Sequence, residues 1–272
     1  VIFLKIAVGK NTKLIVQHHG ETVVHSKRKI LQQLADKYID AYFFTSKEIA
    51  KPWIENKIIS SRDKIFEVLE AGVEIPLLNK ADCKNKLAVT GENNFLWVGR
   101  LNENKDPVTI IKAFQQLLLQ QPDVKLYMIY QQDDLLPEIN KLVNNNERLQ
   151  SAVRLVGSQT KEQLVEWYHA CDFFILGSHQ EGSGYALLEA MHAGCIPLVT
   201  NIPSFKKITE DGKYGILFQP GNIVECANKL QLATTINKQL FSEEILNYAK
   251  SKLGFKNIAA AILSVCHKLL KV

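Results

Sequence analysis

The feature that most constrains the fold of this chain is a regular alternation of short apolar runs with amphipathic stretches from about residue 95 onward. Apolar runs with the length of buried strands lie at 95–98, 125–129, 153–156, 172–176, 196–199 and 215–218. Stretches with helical spacing lie at 107–119, 138–143, 160–169 and 185–193, and another follows residue 222. Strands that alternate with helices at this spacing form parallel sheets covered on both faces. The sequence therefore predicts an α/β fold with a doubly wound parallel sheet in this region.

The first 90 residues show the same pattern with fewer elements. We predict strands at 13–17, 41–45 and 65–69 and a helix at 24–37. Three strands are fewer than the roughly five or six of a complete Rossmann-type sheet, and the chain opens without a methionine, so we expect an N-terminally incomplete domain. Residues 79–94 are polar and poor in aromatics, which predicts a linker. The predicted domains are an incomplete Rossmann-like domain at 1–90 and a complete one, with C-terminal helices, at 91–272.

Composition narrows the class of protein. The five cysteines are scattered and form no CxxC pair, which argues against a disulfide framework or a zinc site and favours a reducing, cytoplasmic compartment. No apolar run approaches the roughly 20 residues of a membrane-spanning helix.

The positive charge of the chain is concentrated near its start. Residues 1–90 hold 15 Lys and Arg against 10 Asp and Glu, a surplus equal to the whole net charge of +5. This basic third is interpreted first as a solvated face, and alternatively as a contact with an anionic acceptor or with the inner face of a membrane. Nucleic acid is not an expected partner, because no aromatic residues are interleaved with the basic ones.

The strongest functional signal is a pair of glutamates eight residues apart, Glu181 and Glu189, in the segment EGSGYALLE. The first lies in a glycine-containing loop after a predicted strand, and the second lies within the next helix. Such a helix begins at the carboxyl edge of the sheet, where α/β proteins bind ligands, and its first N–H groups can bind an anion. Because carboxylates repel a phosphate, hydroxyl groups are the natural partners of the two glutamates. Taken alone, the pair is more often two solvated charges; the glycines and the preceding strand favour a site.

A second signal is the pair of cations Arg100 and Lys105, which follows the strand at 95–98 and precedes a helix with Pro107 in its first turn. Arginine binds a diphosphate by bidentate pairing and lysine binds it as a point charge. A surface Arg and Lys considered alone would face solvent more often than not.

Together and in this order, the two signals resemble glycosyltransferase family 4 and its relatives, which are retaining enzymes with two Rossmann-like domains (the GT-B fold). The resemblance covers about residues 95–222 well and the rest loosely, and it is carried by the segments FLWVGRLNENKDP, VRLVGSQTKEQL, ACDFFILGSHQEGSGYALLEAMHAGCIPLVT and YGILFQPGN. It implies transfer of a hexose from a UDP- or GDP-sugar to a glycan or lipid-linked acceptor, with retention of configuration, in cell-envelope polysaccharide biosynthesis. It implies no cofactor and no metal, because cations and a helix terminus stabilise the leaving diphosphate.

The resemblance also assigns roles to residues. Arg100 and Lys105 are expected to bind the donor diphosphate, Glu181 the sugar hydroxyls and Glu189 the ribose diol. Backbone groups near the phosphate and the base are expected at Gly184, Tyr185, Ala186, Val156 and Gly157.

In the first domain, the segment LIVQHHGE resembles the strand whose terminal histidine faces the donor sugar. His19, and less favourably His18, is the candidate, so Glu181 and His19 are the predicted catalytic residues. A surface histidine pair at a strand end is about as good an interpretation for either residue alone.

Three features depart from the family pattern. The strand at 126–129 is followed by YQQDD where relatives usually carry a Gly-x-Gly turn, and the usual Asn-Gly-Val-Asp reads Ala71-Gly-Val-Glu74. The first strand and glycine-rich loop of the N-terminal domain have no counterpart before Lys13. Two alternatives to a transferase therefore stay open: a chain that binds a nucleotide sugar without turnover, and a nucleotide-sugar epimerase on the same fold.

Overall fold

The computed structural model describes residues 1–9, 11–23, 27–70 and 72–270, without the side chains of Ile2 and Lys27. The chain divides into two compact units, which we call unit 1 (Val1–Gly72 and Gly254–Val272) and unit 2 (Val73–Leu253). This division differs from the predicted domains in two respects: the first unit ends at Gly72, and it includes the last helix of the chain.

The strands in chain order are β1 (Ile15–Gln17), β2 (Ala41–Phe44), β3 (Ile65–Glu67), β4 (Asn94–Gly99), β5 (Lys125–Tyr130), β6 (Val153–Gly157), β7 (Phe173–Leu176), β8 (Ile196–Thr200) and β9 (Ile216–Phe218). The helices are α1 (Ile2–Val8), α2 (Lys27–Asp36), α3 (Lys47–Glu55), α4 (Lys80–Leu87), α5 (Pro107–Leu117), α6 (Leu136–Asn144), α7 (Glu147–Ala152), α8 (Lys161–Ala170), α9 (Tyr185–His192), α10 (Pro203–Ile208), α11 (Ile223–Ala233), α12 (Lys238–Tyr248) and α13 (Phe255–Leu270). A 3-10 turn lies at Arg62–Lys64 and a π-helical turn at Ala249–Leu253.

The sheet of unit 1 is parallel, in the order β1-β2-β3. Helix α13 covers it with an apolar stripe at a spacing of three and four residues, in which Ile258 and Val265 are buried against Ala41 and Phe43 of β2. This packing is the physical reason that the last helix belongs to the first unit. The first three residues of the predicted helix at 24–37 lie outside the described residues. Ala71 of the AGVE segment also lies outside them.

One helical stretch among the described residues, 238–270, is long and apolar enough to cross a membrane by length and composition, although only 22% of its most apolar window is buried. It is not evident as an uninterrupted apolar run because lysines such as Lys250 and Lys252 divide it. It consists of α12, the π-helical turn and α13, and the stripe on α13 packs on the sheet of unit 1. Packing on the sheet of unit 1 therefore accounts for part of the apolar character of this stretch.

The sheet of unit 2 is parallel throughout, in the order β6-β5-β4-β7-β8-β9. Strand β4 pairs with β5 from Asn94–Lys125 to Gly99–Tyr130, and with β7 at Phe95–Phe173. Strands β7 and β8 are buried along their whole length, as expected for a sheet with helices on both faces. The prediction of an α/β fold with a doubly wound parallel sheet is confirmed.

The prediction of a linker at 79–94 is wrong for its first half, which forms α4. Asn79 caps this helix, because its side-chain oxygen accepts hydrogen bonds from the N–H groups of Ala81 and Asp82. Cys83 is buried, and Lys86 forms an ion pair of 2.6 Å with Glu166 of α8. The segment is polar because most of this helix faces solvent.

Candidate functional site

The candidate site lies where the strand order of the unit 2 sheet reverses, between β4 and β7. The chain after β4 leads to one side of the sheet and the chain after β7 to the other, so a crevice opens at their carboxyl ends. The loop after β4 carries Arg100 and Lys105, and the loop after β7 carries Glu181. The reversal therefore brings together residues about 80 positions apart in sequence.

Hydrogen bonds join these two loops directly. The His179 N–H donates to the Asn104 carbonyl at 2.8 Å, and the Asn104 side-chain amide donates to the Gln180 carbonyl at 3.0 Å. The His179 Nε2 atom lies 3.1 Å from an oxygen of Asp106, the residue that caps α5. A Cβ atom at Gly177 would lie 2.9 Å from the Asp106 carbonyl, so this close approach requires glycine. Contacts within the protein therefore hold the two loops together at this edge of the sheet.

Lys105 and Glu181 form an ion pair within this crevice. The two side chains are 19% and 13% exposed, so the pair is largely but not fully shielded from solvent. The Ser178 hydroxyl donates to the same Glu181 oxygen at 2.7 Å, and the Ser178 carbonyl accepts a hydrogen bond of 2.6 Å from Thr200 at the end of β8. The carboxylate is therefore fixed in one orientation by a cation and a hydroxyl.

Arg100 lies directly after β4 and is exposed. Within the described ranges, its guanidinium has no protein partner, unlike Lys105. Its hydrogen-bond donors are therefore available to an anionic ligand.

Helix α9 begins beside the Lys105–Glu181 pair and has no side-chain cap. Its first residue, Tyr185, is half exposed, and the residue before it, Gly184, has a φ of 61°. A Cβ atom at Gly184 would lie 2.6 Å from the ring of Phe205. Glycine at this position therefore allows the helix to start close to α10, with its first N–H groups, near Ala186, open to an anion.

Glu189 lies one turn into α9 and is half buried. The Tyr168 hydroxyl on α8 donates to its Oε2 atom at 3.0 Å. Burial raises the pKa of Glu189, and the Tyr168 hydrogen bond and Lys161 partly offset this effect.

The predicted base-site residues Val156 and Gly157 end β6, which is separated from β4 by β5. At the usual spacing of parallel strands, they lie roughly 10 Å from the end of β4 along the same edge. Gly157 has a φ of 81° and open space around it.

In unit 1, the two adjacent histidines after β1 have different environments. The His18 ring stacks on Phe44 with ring centroids 4.2 Å apart and contacts Trp53 at 4.3 Å. Burial lowers its pKa, and its Nδ1 atom lies 3.3 Å from Glu21. This residue is part of the core.

His19 is 61% exposed, with its Nδ1 atom 3.6 Å from the buried carboxylate of Glu70, which lies in the loop after β3. Its ring is thus accessible at the carboxyl edge of the unit 1 sheet, unlike that of His18.

Five residues that organise the site of unit 2 were not predicted from the sequence: Tyr168, Ser178, His179, Asp106 and Thr200. Ser178 and His179 lie within the GSHQEG segment, and their position just before Glu181 was a sequence signal for them. Tyr168 and Thr200 lie on other elements, and no sequence spacing connects them to the glutamates. In the part of the chain that the structure describes, no three His, Cys, Asp or Glu side chains converge in a metal-binding geometry.

The model of the family of glycosyl transferases group 1 matches residues 79–251, more than half of the chain. The chain is 29% identical, over 166 residues, to a GDP-mannose:cellobiosyl-diphosphopolyprenol alpha-mannosyltransferase of Xanthomonas oryzae pv. oryzae, a match that covers 61% of this chain and 42% of the relative. It thus spans less than half the length of the first curated relatives that it matches.

Solved structures share the fold at low sequence identity. A glycosyltransferase from Rickettsia africae superposes with a TM-score of 0.79 at 18% identity, covering 96% of this chain and 72% of that one. Anabaena HepE, in complex with UDP and glucose, superposes with a TM-score of 0.77 at 17% identity and the same coverage. The chain belongs to the family of glycosyl transferases group 1, and its fold is that of the GT-B glycosyltransferases.

Proposed function

We propose that this chain is a retaining hexosyltransferase of glycosyltransferase family 4, which takes its sugar from a UDP- or GDP-linked donor and requires no metal. The observation that carries the proposal is the Lys105–Glu181 ion pair at the reversal of the unit 2 sheet, beside the uncapped start of α9. The pair places a cation and a hydroxyl-binding carboxylate next to an anion site. A sugar diphosphate presents the complementary groups, which are hydroxyls and negatively charged phosphates.

Each group in the crevice matches one part of such a donor. The N–H groups at Gly184–Ala186 and the free guanidinium of Arg100 bind the diphosphate, and Lys105 bridges it to Glu181. Glu181 accepts hydrogen bonds from the sugar hydroxyls, and Glu189 accepts them from the ribose. As the sugar leaves, negative charge develops on the diphosphate, and the cations and the helix terminus stabilise it. The end of β6, at 156–157, contacts the base.

The acceptor side of the reaction is assigned to unit 1. His19 is exposed at the carboxyl edge of its sheet, held beside Glu70, and we assign it the contact with the donor sugar. The Xanthomonas relative is named for a diphosphopolyprenol acceptor, which supports a lipid-linked or glycan acceptor here. Exposed apolar side chains on α1 and α2, among them Phe3 and Leu31, lie in the basic third and support a peripheral contact at the inner face of a membrane.

The test is a thermal-shift panel of the full chain with UDP, GDP, ADP and their sugars in EDTA. We expect one base to raise the melting temperature. Arg100→Ala should remove the shift, because its guanidinium has no partner among the described residues and is available to the diphosphate. Arg148→Ala, at an exposed arginine on α7, is the matched control and should keep the shift. Absence of a shift with every nucleotide would contradict the proposal, and a shift that appears only when metal is added would contradict its metal-free part.

A second candidate is a chain that binds the donor without transferring the sugar. The observation that favours it is the sheet of unit 1, in which the structure describes three strands, fewer than in a complete Rossmann-type sheet. Transfer of labelled sugar from the stabilising donor to polyprenol-linked or glycan acceptors, by the full chain alone, would exclude this candidate.

A further inference from the structure

The side chains of Tyr168 and Glu189 are joined by one hydrogen bond within unit 2. Tyr168 is buried on α8, and its hydroxyl donates to only one of the two carboxylate oxygens of Glu189, at 3.0 Å. The other oxygen, Oε1, has no hydrogen-bond partner among the described residues. The carboxylate thus has one oxygen satisfied within the protein and the other free to accept a hydrogen bond.

Tyr168 itself is held firmly. Its carbonyl accepts a hydrogen bond of 2.8 Å from the Cys195 thiol at the start of β8, and its ring lies beside that of Phe174 in β7, with centroids 6.3 Å apart. Its hydroxyl position is therefore set by the core of unit 2 and not by the ligand. A glutamate in α9 with a free rotamer would lose side-chain entropy when it binds a ligand, and the Tyr168 contact removes part of that cost beforehand.

We propose that Tyr168 is a positioning residue that orients Glu189 toward the ribose of the donor, so that the chain prefers ribonucleotides to nucleotides without the ribose diol. The inference rests on the proposed function, because it requires that Glu189 binds the ribose. Alternatively, Tyr168 donates to Glu189 only because a buried hydroxyl needs a hydrogen-bond partner. The contact would then be the same, but it would have no effect on the preference for ribonucleotides.

The contact also favours the ionised form of Glu189. The groups that act on this carboxylate are Tyr168 and Lys161, and both oppose the rise in pKa that burial causes. Loss of the tyrosine hydroxyl therefore raises the pKa of Glu189 further. As the pH is lowered, Glu189 becomes protonated and the affinity for a ribonucleotide falls. In Tyr168→Phe this fall should begin at a higher pH than in the unaltered chain.

The experiment is calorimetric titration of the full chain with UDP and GDP and with the 2′,3′-dideoxy form of each. We expect the chain to bind the ribose form of its nucleotide about tenfold or more tightly than the dideoxy form, the scale of a hydrogen bond to a charged group. Tyr168→Phe keeps the ring and should reduce this preference by about threefold or more, with little change in affinity for the dideoxy form.

Two further variants separate positioning from general damage. Tyr127→Phe removes a buried tyrosine hydroxyl that accepts a hydrogen bond from the Thr90 N–H, and it should keep the full preference. Glu189→Gln should remove most of the preference, and addition of Tyr168→Phe to it should change nothing more, because the tyrosine acts through the glutamate.

Failure of the ribose assignment and failure of the positioning role would give different results. If neither UDP nor GDP binds, or if the unaltered chain does not discriminate against the dideoxy form, the ribose assignment within the proposed function fails and the role of Tyr168 fails with it. If the unaltered chain discriminates and Tyr168→Phe discriminates equally, with the same pH profile, only the positioning role is overturned.

Discussion

The carboxyl edges of the two sheets are built on the same alternation of strands and helices, yet they hold polar residues in different ways. In unit 2 the strand order reverses between β4 and β7, and the loops after these strands are joined by hydrogen bonds and by the Lys105–Glu181 pair. In unit 1 the described strands follow in simple order, β1-β2-β3. There, one histidine after β1 packs into the core and its neighbour is exposed.

This difference shows that topology, more than residue type, decides how a polar residue after a strand is used. A reversal of strand order opens a crevice in which side chains from distant segments can pair. In unit 1, where the described strands run in sequence, the two histidines after β1 separate: His18 stacks on Phe44, and the exposed His19 lies beside Glu70. The comparison predicts that substitutions at the carboxyl edge of unit 2 mainly reduce sugar transfer. Substitution of the buried His18 in unit 1 should mainly change the free energy of unfolding.

The largest expected effect follows from breaking the ion pair of unit 2. Glu181→Gln should lower kcat/KM for sugar transfer by about 100- to 1,000-fold, the scale of a lost electrostatic contact in an active site. The measurement is steady-state transfer from the donor identified by thermal shift. Glu166→Gln breaks the Lys86–Glu166 pair, an ion pair of the same unit outside the crevice, and should leave kcat/KM within about twofold. Equal effects in the two variants would contradict the special role of the crevice.

An intermediate effect is expected at the start of α9. Gly184→Ala imposes a side chain at a φ of 61° and 2.6 Å from Phe205, whereas Gly157→Ala imposes one at a φ of 81° in open space. The free energy of unfolding should fall by about 1 kcal/mol in both variants, because alanine is strained in the left-handed backbone region. In Gly184→Ala it should fall by about 1–3 kcal/mol more, because the added atom overlaps Phe205. Chemical denaturation of both variants checks this difference in the free energy of unfolding. Equal losses would mean that α10 yields to the added atom and that the edge of unit 2 is not rigid.

The smallest expected effect concerns pH and the core histidine of unit 1. Burial lowers the pKa of His18 below its ordinary value of 6.5, so the unfolded state binds a proton more readily than the folded state. The free energy of unfolding of unit 1 should therefore fall as the pH drops below about 6.5. His18→Phe should reduce this dependence, because phenylalanine can stack on Phe44 but does not titrate. Hydrogen exchange of the β2 amides at pH 5.5 and 7.5 measures it for unit 1.

The control for this measurement is the neighbouring residue. His19→Ala, at an exposed side chain, should leave the exchange of β2 within about 0.5 kcal/mol of the unaltered chain. The same pH dependence in His18→Phe and the unaltered chain would show that groups other than His18 control the acid sensitivity of unit 1.

The parts of the fold that the sequence predicted correctly depend on local patterns. The apolar runs of unit 2 became β4 to β9, because a buried parallel strand must be apolar on both faces. The first half of the segment at 79–94 was predicted wrongly, because an exposed helix such as α4 is as polar as a linker, although Asn79 caps it. The last helix was assigned to the second unit because its position along the chain gave no sign of packing on β2.

The candidate site shows the same division. The sequence by itself determined which residues occupy the carboxyl edges, since glycines, cations and glutamates follow predicted strands at Arg100, Lys105, Glu181 and Glu189. Only the tertiary structure decided which of them pair: Lys105 with Glu181, Tyr168 with Glu189, and His18 with the core while His19 is exposed. The physical reason is that strand and helix periodicity is set by neighbours a few residues apart. Pairing across the crevice is set by the order of strands in the sheet, which no short-range pattern contains.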